Sequence, residues 1–471
     1  MKYTILISVF LFLFVRINAE EIVFTKHESP YLITEDLIIN SSDTLLILHG
    51  ATLIIDQDIN IIINGTLQVN GSKEEPVSFL PQVPEIGWGK IELNKSGGHS
   101  SIRYAEITDG YIKSNGCQLS LKNVNFYNEQ NLTWEISLVW VLNAGADIRD
   151  CVFRNNGKGE GIQVSNSNSV FIKNCNFFNT PDAIELIKVN GGRIVSNYMS
   201  EGPDDGIDLN NCIDTQIDSN IIVSYVDRGM ELGSENFGSS EGIVLRHNLI
   251  VDCNVGVILK ENSNCYIKNN TFYGNDIAIR CIENNDLAKN TRAEVVNCII
   301  SQSRNMDVFS DELSTLTIDY TLSDRILHQG QNNIFDDPMF LDTVDFRIST
   351  ESPCVNAGDP NLGSDPDDSI CDIGAYWSGD VNFLNPSVFS KDYIIFPNPF
   401  MEYFIIKDVY HNLERVNIGL FDMEGISIPY KLVDMESGSI RIHPYYFTGS
   451  VLICKIDDGD KVLTNILLRT K

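Results

Sequence analysis

The chain has 471 residues, enough for more than one core, and carries 34 Lys plus Arg against 64 Asp plus Glu, a formal charge of −30. Such a surface repels nucleic acid and anionic membranes and suits a binder of cations. An acidic polymer could be held only locally, through bridging cations or a basic strip.

The N-terminus, MKYTILISVFLFLFVRINAE, places Lys2 before an apolar run from Ile5 to Val15 and ends on Asn18-Ala19. This is the pattern of a secretory signal over 1–19, too short to span a bilayer. No later stretch approaches twenty apolar residues, so no transmembrane segment is expected.

From residue 20 onward short apolar alternations are broken by Asn, Gly, Ser and Asp, and sustained helical periodicity is absent. A ladder of phrases emerges: EGIQV, DAIEL, DGIDL, RGMEL, VGVIL and IAIRC. Their second residues, Gly161, Ala183, Gly206, Gly229, Gly256 and Ala278, are 22, 23, 23, 27 and 22 residues apart. A second column runs Cys151, Cys175, Asn197, Asn220, Asn248, Asn270 and Cys298. Repetition at this period marks a solenoid, because one repeat cannot bury its apolar face alone. About 22 residues accommodate three short strands and three turns, one rung of a parallel coil with a rise of about 4.8 Å. Inward asparagines can then bond their equivalents on neighbouring rungs. The recurring cysteines read as core positions, and only Cys354 and Cys371 suggest a disulfide.

This periodic chain resembles the right-handed parallel β-helix superfamily that includes pectate lyases. The fold class expected is all-β, a parallel β-helix over 20–302 followed by a small antiparallel β-sandwich. Residues 303–378 resemble the closing segment of secreted β-helix proteins, expected to cap the last rung and cover its strand edges. Residues 379–392 read as a linker. Residues 393–471 alternate strands with turns at Glu424-Gly425 and Asp458-Gly459. Their FPNPF start and LFDMEG centre resemble the sorting domain of the type IX secretion system in Bacteroidetes. That resemblance implies the secretion machinery as a partner, export across the outer membrane, and a secreted or cell-surface location.

The phrase GPDDGIDLNN packs Asp204, Asp205 and Asp208 around one glycine. Strand alternation turns Asp208 outward, in a column holding Gln163, Glu185, Asp208, Glu231, Ile258 and Arg280. A second acidic row, Glu160, Asp182, Asp204, Asp205 and Asp227, lies at the preceding turn. Adjacent uncompensated carboxylates cost about 1 kcal/mol each even when solvated. Three readings stay open: a solvated acidic row, a calcium site, or a metal-free catalytic acid pair.

Some calcium-dependent pectate lyases carry a similar D-D-G-x-D phrase plus an aspartate one rung earlier. The resemblance implies a calcium ion on Asp182, Asp204, Asp205 and Asp208. Where those lyases place a basic lysine this chain has Glu231, so the nearest candidates for a catalytic role are Arg228 and, one rung further and two residues out of register, Lys260. Polygalacturonases offer a weaker likeness in Asp182, Asp204 and Asp205, but Arg228 stands in place of their histidine. The expected function is binding or depolymerising an extracellular, acidic polysaccharide, with a calcium-dependent lyase first and a glycoside hydrolase second. The alternative is a non-catalytic surface scaffold or adhesin that binds a surface glycan.

Overall fold

In the computed structural model, residues 19–83, 86–95, 97–128, 136–155, 159–233, 238–283, 290–327, 329–341 and 346–379 of the first part of the chain are described, with 393–396, 404–408, 417–421, 427–435, 439–445, 451–457 and 462–468 beyond them. Most of the signal segment and the linker lie outside these residues. The first compact unit spans Met1–Asn382 and the second Phe383–Lys471.

The first unit is a parallel coil. Each full turn gives one strand to a 12-stranded sheet and two to a 25-stranded sheet, as in Val139–Leu142, Ala146–Arg149 and Val152–Asn155. Every inter-rung pairing of named strands is parallel and in register, so equivalent residues stack directly. Alternation along each strand sends Ile, Leu and Val inward. The core is a continuous apolar column running from Ile33 to Ile318. Phe126, Phe153 and Phe177 stack within it, with ring centroids 5.0 and 4.7 Å apart.

The asparagine column lies at the corner between the two strands of the larger sheet. The residue before each, Ser196, Ser219, His247 and Asn269, adopts φ of 51–59°, a left-handed step that turns the chain. Each asparagine is buried and bonds the next rung. The Asn197 Nδ2 donates to Asn220 Oδ1 at 2.9 Å, Asn220 Nδ2 to Asn248 Oδ1 at 3.0 Å, and Asn248 Nδ2 to Asn270 Oδ1 at 2.9 Å. The same oxygens accept the preceding backbone amides at 2.9–3.0 Å. Polar groups at a buried corner are thereby satisfied without water. At the ladder's ends Cys175 donates its amide to Asn197 Oδ1, and Cys298 Sγ accepts from the Asn270 amide.

The coil continues past residue 302 through Met306–Ser310, Thr315–Asp319 and Leu322–Ser323. The segment after Phe335 departs from the expected cap, because it folds back along the flank. Phe340 and Phe346 pack on Tyr273, Asn269 Nδ2 donates to the Asp372 carbonyl at 2.8 Å, and Asn297 Oδ1 accepts from the Asp359 amide at 2.8 Å. An apolar outer face at Leu249 and Val251, with Tyr273 beside it, draws the segment there. The expected Cys354–Cys371 disulfide does not form. Cys354 is packed in an apolar cluster with Ile299 and Ile373, while Cys371 Sγ accepts from Asn297 Nδ2.

In the second unit, antiparallel strands form a four-stranded sheet (Tyr393–Phe396, Phe404–Asp408, Tyr430–Met435, Ser439–Pro444) and a three-stranded sheet (Asn417–Phe421, Val451–Asp457, Val462–Leu468). The fold is therefore the all-β pairing of a β-helix with a small antiparallel module. Parts of the FPNPF and LFDMEG motifs lie outside the described residues.

The ladder makes a direct prediction. Replacing Asn220 by Ala removes the acceptor of both the Asn197 backbone amide and Asn197 Nδ2, and it breaks the contacts of Asn220 Nδ2, whose two hydrogens are shared among the Ile194 and Asp218 carbonyls and Asn248 Oδ1, at a cost of about 2–3 kcal/mol. Asn220→Cys, the residue used at the ladder's ends, should lose less. Denaturant unfolding of both variants checks the order, and equal losses would contradict the hydrogen-bonding role.

Candidate active site and cation site

The acidic phrases lie on interior strands of the 12-stranded sheet and on the turns that lead into them. The strands Ile184–Val189, Asp205–Asn210 and Arg228–Gly233 are consecutive neighbours there. Their close approach depends on the small residue near each strand's start. A Cβ built on Gly206 would lie 2.6 Å from the Gly229 carbonyl, and one on Gly229 2.6 Å from that of Gly256. Beneath the turn, Gly202 rests on the ring of buried Tyr225, whose hydroxyl lies 3.3 Å from Thr180 Oγ1.

The outward column has the expected register. Gln163 pairs with Glu185, Glu185 with Asp208, Asp208 with Glu231, Glu231 with Ile258 and Ile258 with Arg280. Ligand oxygens of Asp182, Asp204 and Asp205 all lie within 4.8 Å of one another. Asp208 falls outside this trio and stacks between Glu185 and Glu231. Asp204 is exposed in the turn, whereas Asp205 begins the strand and is only 3% exposed. The Asp205 amide donates to Asp182 Oδ1 at 3.0 Å, tying the two rungs together.

Arg228 and Lys260 both reach the acids. Arg228 Nη1 lies 3.2 Å from Asp205 Oδ2, 3.0 Å from Asp227 Oδ2 and 2.7 Å from Glu231 Oε2. The last contact is an ion pair without hydrogen-bond alignment, since Glu231 Oε2 is buried with no hydrogen-bond donor. Lys260 Nζ pairs with Glu231 Oε1 from the next rung, its side chain bridging the two-residue offset. Burial opposes the charge on Arg228, but Asp205, Glu231 and Asp227 outweigh it and hold the guanidinium protonated. The two cations thus converge on Glu231, leaving Asp182, Asp204 and Asp208 without an ion pair among the described residues.

Burial is the main cause of the perturbed carboxyls. It pushes Asp182 up to about 8, with Asp204, Asp205 and Glu185 adding repulsion against the Asp205 amide's donation. It pushes Asp205 up to about 7, with Arg228 opposing and Glu231 and Asp204 reinforcing. Asp208 is raised well above the carboxylate range by burial and then by Glu231, Asp182, Glu185 and Asp205. Asp205 Oδ1 and Asp208 Oδ1 are buried without hydrogen-bond partners, although Asn210 Nδ2 donates to Asp208 Oδ2 at 2.8 Å. The sequence reading missed Asn210, whose signal was its place two residues beyond Asp208 on the same outward face.

Six acidic side chains on three rungs (Asp182, Glu185, Asp204, Asp205, Asp208 and Glu231), three of which carry a buried oxygen without a hydrogen-bond partner, fit a hard divalent cation, which takes several carboxylate oxygens. The residues that would hold it are Asp182, Asp204 and Asp205, with Asp208 beside them. The same carboxyls can instead share protons, so cation and proton compete for one set of oxygens.

A family model described as "Right handed beta helix region" matches residues 110–272. The chain is 32% identical over 62 residues to Protein bark beetle of Drosophila melanogaster, covering 13% of this chain and 2% of that protein's length. The mannuronan C-5 epimerase AlgE4 A-module of Azotobacter vinelandii superposes with a TM-score of 0.43 at 11% identity, over 66% of this chain and 90% of that one. A mannuronic acid specific polysaccharide family 6 lyase from human gut microbiota gives 0.32 at 14% identity, over 67% and 78%.

The raised carboxyls fix a sign for the pH dependence. With both pKa values raised from 3.8, the folded state holds protons that the unfolded chain releases, so stability is lost as pH rises from about 4 towards about 8. In chelator, the melting temperature of the wild type should fall across this window more steeply than that of Asp182→Asn/Asp205→Asn. Parallel slopes for the two proteins would show that these carboxyls keep ordinary values.

Proposed function

We propose that the outer face of the 12-stranded sheet binds an extracellular acidic polysaccharide, with Asp182, Asp204, Asp205 and Asp208 holding calcium. The observation that carries this reading is the approach of three carboxylates to within 4.8 Å, beside buried carboxylate oxygens that no donor satisfies. When bound, a calcium ion would supply the positive charge that attracts a uronate carboxylate and acidifies the adjacent C–H.

The chain's own residues define the rest. Asp208, half-buried between Glu185 and Glu231 at a pitch of about 4.8 Å, lies in a straight outward column over which a linear polymer of hydroxylated units would run. The same outward column carries Trp140 one rung before Gln163 and Phe309 one rung beyond Arg280. Arg228, fixed by Asp205, Asp227 and Glu231, orients the acids and remains protonated. Lys260 is paired with Glu231, so its approach to a substrate proton requires Glu231 to be engaged elsewhere.

Carboxyl spacing favours a shared cation over the hydrolase reading. Retaining pairs stand about 5–5.5 Å apart and inverting pairs about 6.5–9.5 Å, to admit a sugar and a water. Oxygens within 4.8 Å are better placed to share one cation. If the polymer is cleaved, elimination is therefore the favoured chemistry, and a pure binding surface is the alternative.

With millimolar calcium the melting temperature should rise relative to chelator, by an amount corresponding to about 2.7 kcal/mol at a hundredfold excess over Kd. Asp204→Asn/Asp208→Asn should lose that response. A parallel screen on polygalacturonate and alginate, read by absorbance of unsaturated product, separates a lyase from a binder. No calcium response in the wild type, or an equal one in the double variant, would leave the row a solvated acidic face.

We also infer that residues 393–471 are a type IX sorting domain and that the β-helix is delivered to the cell surface or medium. The paired antiparallel sheets and the residues of the two motifs support this. Among the described residues no helix is long and apolar enough to cross a membrane. Deleting 393–471 should trap the protein in the periplasm of its natural host, and normal secretion of the truncated chain would refute the assignment.

A further inference from the structure

The outer surface of the strand that follows the acidic face in each turn carries the opposite charge. Register places Arg103 against Lys122, Lys122 against Arg149, and Arg149 against Lys173, four cations on four consecutive rungs. In the adjacent outward column Ser101, Ser120, Asp147, Phe171 and Arg193 are likewise stacked. This patch of ten positions, closed by Val195, holds five cations and one carboxylate on a chain whose formal charge is −30.

The patch is exposed and ordered. Arg103, Lys122, Arg149 and Arg193 are exposed and Lys173 is half-buried. Arg149 is held by Asp147 through Nε at 2.6 Å and Nη2 at 3.0 Å, and its guanidinium lies 4.7 Å from the Phe171 ring centroid. Arg193 lies 5.5 Å from the same ring. Among the described residues Arg149 alone of the five cations has an ion-pair partner, so the other four present charge to solvent.

Stacking like cations at about 4.8 Å is unfavourable in the free protein, as stacking carboxylates is. An anionic partner removes that cost. The line is one residue wide, follows the coil axis for about 14 Å, and is followed two rungs beyond Lys173 by Asp218. Duplex nucleic acid would bring a broad, dense field of phosphates against the surrounding acidic surface. A polyuronate carries one carboxylate per sugar on a thin chain, a line of charge laid along a line of charge.

We propose that Arg103, Lys122, Arg149 and Lys173, with Arg193 beside them, form a docking strip for a linear polyuronate on a face separate from the acidic site. This strip rests on no reading of the calcium site. It binds by charge pairing without a divalent ion and involves no bond-making step.

The test is binding of the full chain to immobilised polygalacturonate in the presence of chelator, with neutral dextran and polyglutamate as comparators. Wild type should bind polygalacturonate at low salt, release it as ionic strength rises, and ignore dextran. Arg103→Gln/Lys122→Gln/Lys173→Gln, with a melting temperature no lower than that of the wild type, should bind at least about tenfold more weakly. Arg103→Lys/Lys122→Arg/Lys173→Arg should bind as wild type does. Asp204→Asn/Asp208→Asn should also bind normally in chelator, which keeps failure of the strip distinct from failure of the calcium reading. Undiminished binding by the glutamine variant overturns the proposal. So does wild-type binding to polyglutamate as tight as to polygalacturonate, which would assign the strip to an acidic polypeptide.

Discussion

Everything in the β-helix depends on parallel pairing at zero offset. Once a rung is laid on the one before it, each side chain meets its equivalent about 4.8 Å away. For apolar residues and phenylalanine rings this is favourable without further provision. For asparagine it is favourable because one amide can both donate to and accept from its copies. For charges it is costly, and the molecule concentrates that cost in two places: carboxylates on the 12-stranded sheet and cations on the neighbouring face.

The two places are compensated differently. Arg228 and Lys260 are drawn to Glu231, at one end of the acidic row, and Asp182 and Asp208 are left to hold protons or a cation. On the basic face the row stays solvated, and Asp147 holds one guanidinium in place. On the proposed reading, an acidic chain that binds an acidic polymer has to confine its attraction to narrow features of this kind. The overall charge then limits unspecific binding of other polyanions.

Residues whose role repeats were legible in the sequence. Asn197, Asn220, Asn248 and Asn270 recur at one point of the period, and so do Glu185, Asp208 and Glu231. Their stacking follows from alternation and spacing alone. What the sequence did not disclose was set by features outside the repeat. Arg103, Lys122, Arg149 and Lys173 are separated by unequal intervals, because turns of different length intervene, and only the register aligns them. The convergence of Arg228 on three carboxylates depends on a long side chain whose direction spacing does not fix. The flank-seeking path of residues 336–341 and 346–378 follows from an outer apolar face at Leu249 and Val251 that breaks the inside-outside alternation. Cys354 and Cys371 looked like a pair because they lie in irregular chain, yet each has its own packing site.

The eleven cysteines, all reduced and buried, have a consequence for how the chain reaches its native state. Burial pushes thiols such as Cys212, Cys253 and Cys298 up to about 12, which makes them inert once the coil has closed over them. Before closure the same thiols are ordinary reactive groups, and no native disulfide removes any of them from circulation. In an oxidising compartment folding therefore competes with mispairing. Each cysteine of the coil is sealed when the neighbouring rung, about 22 residues away along the chain, is laid against its own. Burial behind neighbouring rungs, rather than covalent cross-linking, is then what keeps these thiols from oxidation in the finished coil.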